Sequence, residues 1–295
     1  MSSPPSAVDR STPLLQQRIR ELFRRLPKAL AGEVEAVHQM RIAGRRLRVA
    51  LPVLARRPEG RRARDAGRIL RQLARAAGSS RDLDVGLELF DGHLAPSRAA
   101  TASQRTLRSR LRGARTRSRA RMAEALLDIE IARLRRDLRR IVARRGEVLF
   151  TVVLRLRDAR EARGARVVEA LGALGDRYDP AALHELRKRV RRLRYVAEVA
   201  EAVMAQSTAA PAAFKALQEQ LGRIRDRFVL SEWLGRQAAS ARARGQEALA
   251  VEAAEMQRSF LAASQAEHRA FLERSPAERV REGLLAMGPT RSSAA

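Results

Sequence analysis

One written pattern constrains this chain more than any other. H-x-x-R-x-x-x-R-R-L-R occupies residues 38–48 and returns at 184–194, 146 positions later. Downstream of each copy stands G-x-x-R-D, at 78–82 and at 222–226, 144 positions apart. Two different motifs in the same order at nearly the same offset point to a duplicated unit of about 140 residues, the signature of an internal repeat. A basic chain easily produces one arginine-rich match by chance. It does not so easily produce paired anchors.

Each copy of the first motif reads as an amphipathic helix. At about 100° per residue, His38, Arg41, Arg45 and Arg48 share a sector about 80° wide, and Met40, Leu47, Leu51 and Leu54 lie on the opposite side. In the second copy His184, Arg187, Arg191 and Arg194 stand against Leu186, Val190, Leu193 and Ala197. The resulting cationic stripe is about 15 Å long. A solvated helix face normally mixes signs in i,i+4 pairs. These stripes hold no acid, and like charges at that spacing repel, so an outside polyanion is expected to supply the counter-charge. The histidine heading each stripe is favoured in its charged form beside phosphate, which adds a pH-dependent contact. His93 and His268 lack this context and are read as structural or surface residues.

Composition agrees with that expectation. Lys and Arg total 60 against 33 Asp and Glu, a net charge of +27, and only Lys28, Lys188 and Lys215 are lysines. A compact state with that charge repels itself and calls for a polyanionic partner. The planar guanidinium fork matches phosphate oxygens and stays charged at any working pH. Secondary contacts are assigned to Arg46, Lys188 and Arg192 within the motif helices, and to Arg71 with Lys215, its cationic counterpart at the 144-residue offset. Arg64, Arg68, Arg71 and Arg75 form a further stripe. The run at 133–145 reads as a basic outer face with an apolar seam of Leu134, Leu138, Ile141 and Val142.

The fold class expected is all-α, as two pseudo-symmetric antiparallel helical bundles with a basic central cleft. Hydrophobic residues make up 45% of the chain, enough for a sizeable core. Helices are expected near 13–28, 31–56, 60–77, 82–94, 97–120 and 121–145, then 147–174, 179–206, 210–223, 226–243, 245–273 and 276–286. Residues 1–12 and 289–295 read as frayed ends. Between them lies one domain, 13–288, with repeat one at 13–145 and repeat two at 146–288. No apolar stretch is long enough for a membrane span or resembles a secretory leader, so a cytoplasmic protein is expected.

Catalysis is not signalled, and neither a cofactor nor a metal is expected. Metal-assisted phosphate chemistry needs clustered carboxylates. Asp82 and Asp84 are the best acids, but only Asp226 returns in the second copy, where Phe228 replaces the other. Asp82 and Asp226, each after a glycine, read as residues near helix N-termini. Nucleic acid is the second choice of partner: aromatics total 3%, which leaves little for base stacking, and no Asn or Gln at the stripe positions is placed to read base edges. A basic adaptor for an acidic protein is a third reading.

With those residues in view, the chain resembles the CHAD domain, the conserved histidine α-helical domain, over about residues 13–288. The resemblance implies an all-α fold of two pseudo-symmetric bundles around a basic cavity. It implies binding of inorganic polyphosphate and, for bacterial members, association with polyphosphate granules. Carried over by position, the cavity would be lined by His38, Arg41, Arg45, Arg48, His184, Arg187, Arg191 and Arg194. Phe228 departs from the first copy, which puts the form of the second G-x-x-R-D segment in question. Many family members carry a fused CYTH catalytic domain; the E-x-E-x-K pattern of triphosphate tunnel enzymes is absent from these residues, so no activity is carried over from that fusion.

Overall fold

A computed structural model describes residues 10–94, 99–143 and 149–288. Every regular element among them is an α-helix: α1 (Ser11–Leu30), α2 (Val34–Leu54), α3 (Arg61–Ala76), α4 (Gly78–Leu94), α5 (Ala102–Leu127), α6 (Ile131–Val142), α7 (Leu149–Leu174), α8 (Pro180–Met204), α9 (Ala210–Arg242), α10 (Glu247–Leu272) and α11 (Pro276–Ala286). The fold is all-α, as expected. Local chemistry places several of the helix ends. Asp179 accepts hydrogen bonds from the amides of Ala181 and Ala182 at 2.9 and 3.0 Å, with Pro180 in the first turn of α8. Thr101 and Gln104 form a reciprocal capping box on α5, satisfying two of the donors a helix start leaves free.

Several boundaries differ from the sequence expectation. Residues 210–223 and 226–243 form one continuous helix, α9, so Gly222 is no break and Asp226 is interior rather than near an N-terminus. The gap expected between 77 and 82 closes as well; α4 begins at Gly78 itself. The break expected at 120/121 falls at 128–130 instead, where α5 gives way to α6. Ser11 and Thr12, expected in a frayed end, already belong to α1. The expected start at 97, the end at 145, the start at 147 and the tails at 1–9 and 289–295 lie outside the described residues.

Three apolar cores hold the helices together. The first joins α1, α2, α3 and α6 with Tyr195, Val196, Val199 and Val203 of α8 and with Val152 and Leu156 of α7. The second lies under α7, α8, the amino-terminal half of α9 and α11, around Phe214 and Phe271. The third packs Phe90 of α4 and Leu107 and Leu111 of α5 against Leu230, Trp233 and Leu234 of α9 and Met256 and Phe260 of α10. Two of these cores draw side chains from both sides of residue 145. Leu134 and Leu138 of the α6 seam are fully buried, with Ile141 and Val142 half-buried beside them.

Candidate anion-binding site

Packing sets the site up by fixing which face of each motif helix is buried. Met40, Leu47, Leu51 and Leu54 on α2, and Leu186, Val190, Leu193 and Ala197 on α8, are all buried. With those faces in the cores, the stripes must turn elsewhere. Helices α2 and α8 also pack on each other, bridged where Arg46 Nε and Nη2 donate to the two Glu198 carboxylate oxygens at 2.8 and 3.3 Å. The two motif helices are therefore neighbours.

The stripes form a cluster of cations that repel one another. Burial first, and then Arg45 and Arg187, push the Arg191 guanidinium down to about 9. Burial and Arg45 push Arg41 to about 10. Arg45, Arg48 and Arg187 are lowered as well, burial being the leading cause for each, followed by Tyr195 (raising) for Arg45, Arg192 for Arg48 and Asp226 (raising) for Arg187. A guanidinium does not discharge at working pH, so this repulsion is carried by the folded chain. Among the described residues, Arg45, Arg48, Arg187 and Arg191 make no ion pair. The histidines follow the same logic. Burial and Arg225 hold His184 down to about 4, and burial and Arg81 lower His38.

The two glycine motifs frame this cluster in parallel ways. An added Cβ at Gly78 would stand 3.6 Å from Arg41 Nη1, and one at Gly222 would stand 3.2 Å from Arg187 Nη2. Gly222 thus leaves room for Arg187, whereas a methyl group at Gly78 would meet Arg41 at an ordinary van der Waals distance. Asp82 then takes a hydrogen bond at 3.1 Å from Arg225, tying the first G-x-x-R-D to the second. Arg41, only 8% exposed, donates to the Ala77 carbonyl at the end of α3. Arg187 makes no such bond, and its Nε is a buried donor without a partner; His184 Nδ1 is a buried ring nitrogen without one.

Beyond the far end of the α2 stripe a cavity of about 290 Å³ opens between α2, α3, α7 and α8. Arg48, Arg71, Arg163, Arg166, Arg189 and Arg192 line it, with no acid among its lining residues. Arg48, Arg71 and Arg192 were expected at the site; Arg163, Arg166 and Arg189 were not. The spacing of Arg163 and Arg166, two cations three apart on α7, was the available signal.

Other expected residues lie in structural pairs. Arg194 is 9% exposed, stacks over the Tyr195 ring with its guanidinium carbon 4.7 Å from the centroid, and sits 3.7 Å from Glu198. Together with Arg46 and Arg18 it surrounds that one carboxylate. Lys188 pairs with Glu185, and Lys215 with Glu219 at 3.6 Å. Asp84 is buried and accepts from Arg115 and Arg119 of α5 at 2.6 and 2.9 Å, which makes it a strut for α5. His268 is buried against Tyr178, and His93 lies on Phe260. Among the described residues no cluster of three or more acids or histidines is arranged to hold a metal ion, and no helix is long and apolar enough to cross a membrane.

Comparison with known proteins gives a consistent fold. The CHAD domain family model matches residues 13–235. The crystal structure of the CHAD domain from the plant Ricinus communis aligns with a TM-score of 0.61 at 22% identity, covering 97% of this chain and 94% of that one. PptA from Streptomyces chartreusis aligns at 0.66 and 18% identity, over 90% and 98%. At these identities the likeness is one of fold. No curated protein sequence matches significantly.

Proposed function

Because the chain belongs to the CHAD domain family, we propose that it binds inorganic polyphosphate along the paired stripes and performs no chemistry on it. One observation carries the reading. Arg45, Arg187 and Arg191 are half-buried, repel one another, and have no ion-pair partner among the described residues. Forcing like charges together in a partly desolvated place destabilises the free protein, and a row of phosphates removes that penalty while accepting forked hydrogen bonds. His38 and His184 are lowered below the ordinary histidine value in the free chain, and phosphate beside them favours the charged ring, so both contribute more as pH falls. The acid-free cavity past Arg48 extends the path for a chain longer than one stripe. The duplication then has a physical use: two short stripes meeting at α2 and α8 make one longer basic cleft.

On this reading the protein works in the cytoplasm, at polyphosphate granules. The test is a competition titration of long-chain polyphosphate, single-stranded DNA and duplex RNA at equal phosphate count. Polyphosphate is expected to bind tightest, with affinity falling steeply as salt rises, by analogy with counter-ion release from nucleic acid. Equal affinity for all three would replace the polyphosphate reading with general polyanion binding, the second choice that a net charge of +27 favours.

A further inference from the structure

A further concentration of cations lies away from the stripes. Between the α2–α3 connection, the start of α3 and the outer face of α6 is a cavity of about 470 Å³, within the usual size range of small-ligand sites. Arg56, Arg57, Arg61, Arg62, Arg133 and Arg140 line it, and its two acids are Asp65 and Asp137. Those acids are already engaged. Arg133 Nη2 donates to Asp65 Oδ2 at 2.7 Å and Arg133 Nε lies 3.8 Å from Asp137, with Arg61 3.8 Å from Asp65. Arg56, Arg57, Arg62 and Arg140 are exposed and make no ion pair among the described residues. The cavity shares no lining residue with the acid-free one beyond Arg48, and Arg61 stands ten residues before Arg71 on α3, about 15 Å away along the helix.

We propose that this cavity is a second anion site, taking a compact phosphoanhydride the size of a triphosphate, free or as the tail of a nucleotide. Four unpaired guanidiniums converging on one concave space suit a small, densely charged ligand better than a long chain, which needs an open path. Residues Gly60 to Ala63 add backbone at the start of α3, where first-turn amides have no partner within the helix. Ala63 and Ile141 are the apolar lining residues, and no aromatic ring lines the cavity to hold a base. The site is therefore assigned to the phosphate portion alone. The proposal does not rest on the polyphosphate reading of the stripes.

Isothermal titration of tripolyphosphate into the whole chain tests it. One class of binding is expected to survive Arg45→Ala with Arg191→Ala, and to weaken about tenfold or more in Arg57→Ala with Arg140→Ala, since two charge-assisted bonds are lost. A cavity variant that binds like the parent, or a stripe variant that binds no tripolyphosphate, overturns the proposal. Arginine modification by phenylglyoxal, read by mass spectrometry on the unaltered chain, gives a second measurement. Protection of Arg57, Arg62 and Arg140 by tripolyphosphate supports the site, and protection confined to the stripes overturns it. ATP is expected to bind within about tenfold of tripolyphosphate, because the increment from base stacking is missing. Cavity-dependent binding of ATP without binding of tripolyphosphate would refute a site for the phosphate chain.

Discussion

The first and second halves make the same glycine–arginine contact on differently built helices. In the first half the chain breaks at Ala77, between α3 and α4, and Arg41 donates to the carbonyl at that break. In the second half α9 runs unbroken through Gly222, and Arg187 lies over the glycine with a buried donor unsatisfied. Matching motif positions thus have different duties. Arg41 is bound to the fold, whereas Arg187 keeps a buried donor without a partner, which on the proposed reading serves the polyanion. The replacement of Asp84 by Phe228 belongs to the same contrast. Asp84 fastens α5 to α4 through Arg115 and Arg119; Phe228 sits within α9, whose partner α10 is held by the shared apolar core.

The largest effect tests what the halves have in common. Arg45→Ala with Arg191→Ala is expected to weaken long-chain polyphosphate binding about 100-fold or more, at roughly 1.5–3 kcal/mol per charge-assisted contact. The free variant is expected to melt no lower than the parent, because repulsion has been relieved. Fluorescence anisotropy and a thermal melt measure the two, and near-intact binding would make the stripes ordinary surface.

The contrast itself is tested by single changes. Arg187→Ala is expected to cost about tenfold in affinity with the melting temperature unchanged or higher. Arg41→Ala is expected to act the other way, lowering stability by about 1–3 kcal/mol because the Ala77 carbonyl loses its donor, with the smaller effect on binding. Denaturant melts alongside binding curves separate the two, and an exchange of roles between these variants would break the comparison.

A smaller effect lies in pH. His184 is held near 4 in the folded chain, below its ordinary 6.5, so the unfolded state binds the proton first. Stability of the free protein is therefore expected to be highest above pH 6.5 and to fall as pH drops from 6.5 towards 4. Polyphosphate favours the charged ring, so affinity is expected to rise severalfold across that same window. Melts and titrations at pH 7 and pH 5 should move in opposite directions, and His184→Gln should shrink both changes. Parallel movement would remove the histidine from the site.

The smallest effect concerns the glycines. Gly222→Ala places a methyl group 3.2 Å from Arg187, so the guanidinium must shift by a few tenths of an ångström; Gly78→Ala meets Arg41 at an ordinary 3.6 Å. Alanine within a helix is favoured by about 1 kcal/mol over glycine, so Gly222→Ala is expected to keep or raise the melting temperature while weakening polyphosphate binding a few-fold. Gly78→Ala is expected to leave binding within twofold, measured in the same assay.

The sequence displays what depends on one helix at a time. The burial of Met40, Leu47 and Leu51, and of Leu186, Val190 and Leu193, follows from angular position alone, and so does the direction of the stripes. What it hides depends on which helix meets which. Gly222 looks like punctuation, and only the approach of Arg187 shows that it marks a close contact. Arg163, Arg166 and Arg189 join the arginine cavity because α7 lies along α8. Glu198, outside the motif, gathers Arg18, Arg46 and Arg194 into one ion cluster. An equivalent position on a helix does not foretell that capture.

The shared cores bear on how the chain acquires its structure during synthesis. Made from the amino end, α4 and α5 present Phe90, Leu107 and Leu111 long before Leu234 and Met256 exist to cover them. The first core likewise waits for Tyr195, Val199 and Val203 of α8. Closing such distant contacts is slow compared with helix formation, so the early half must pass through a period with its apolar faces open. A nascent chain halted near residue 145 would therefore be sticky and protease-sensitive, and the two halves supplied as separate fragments should gain their structure only when mixed.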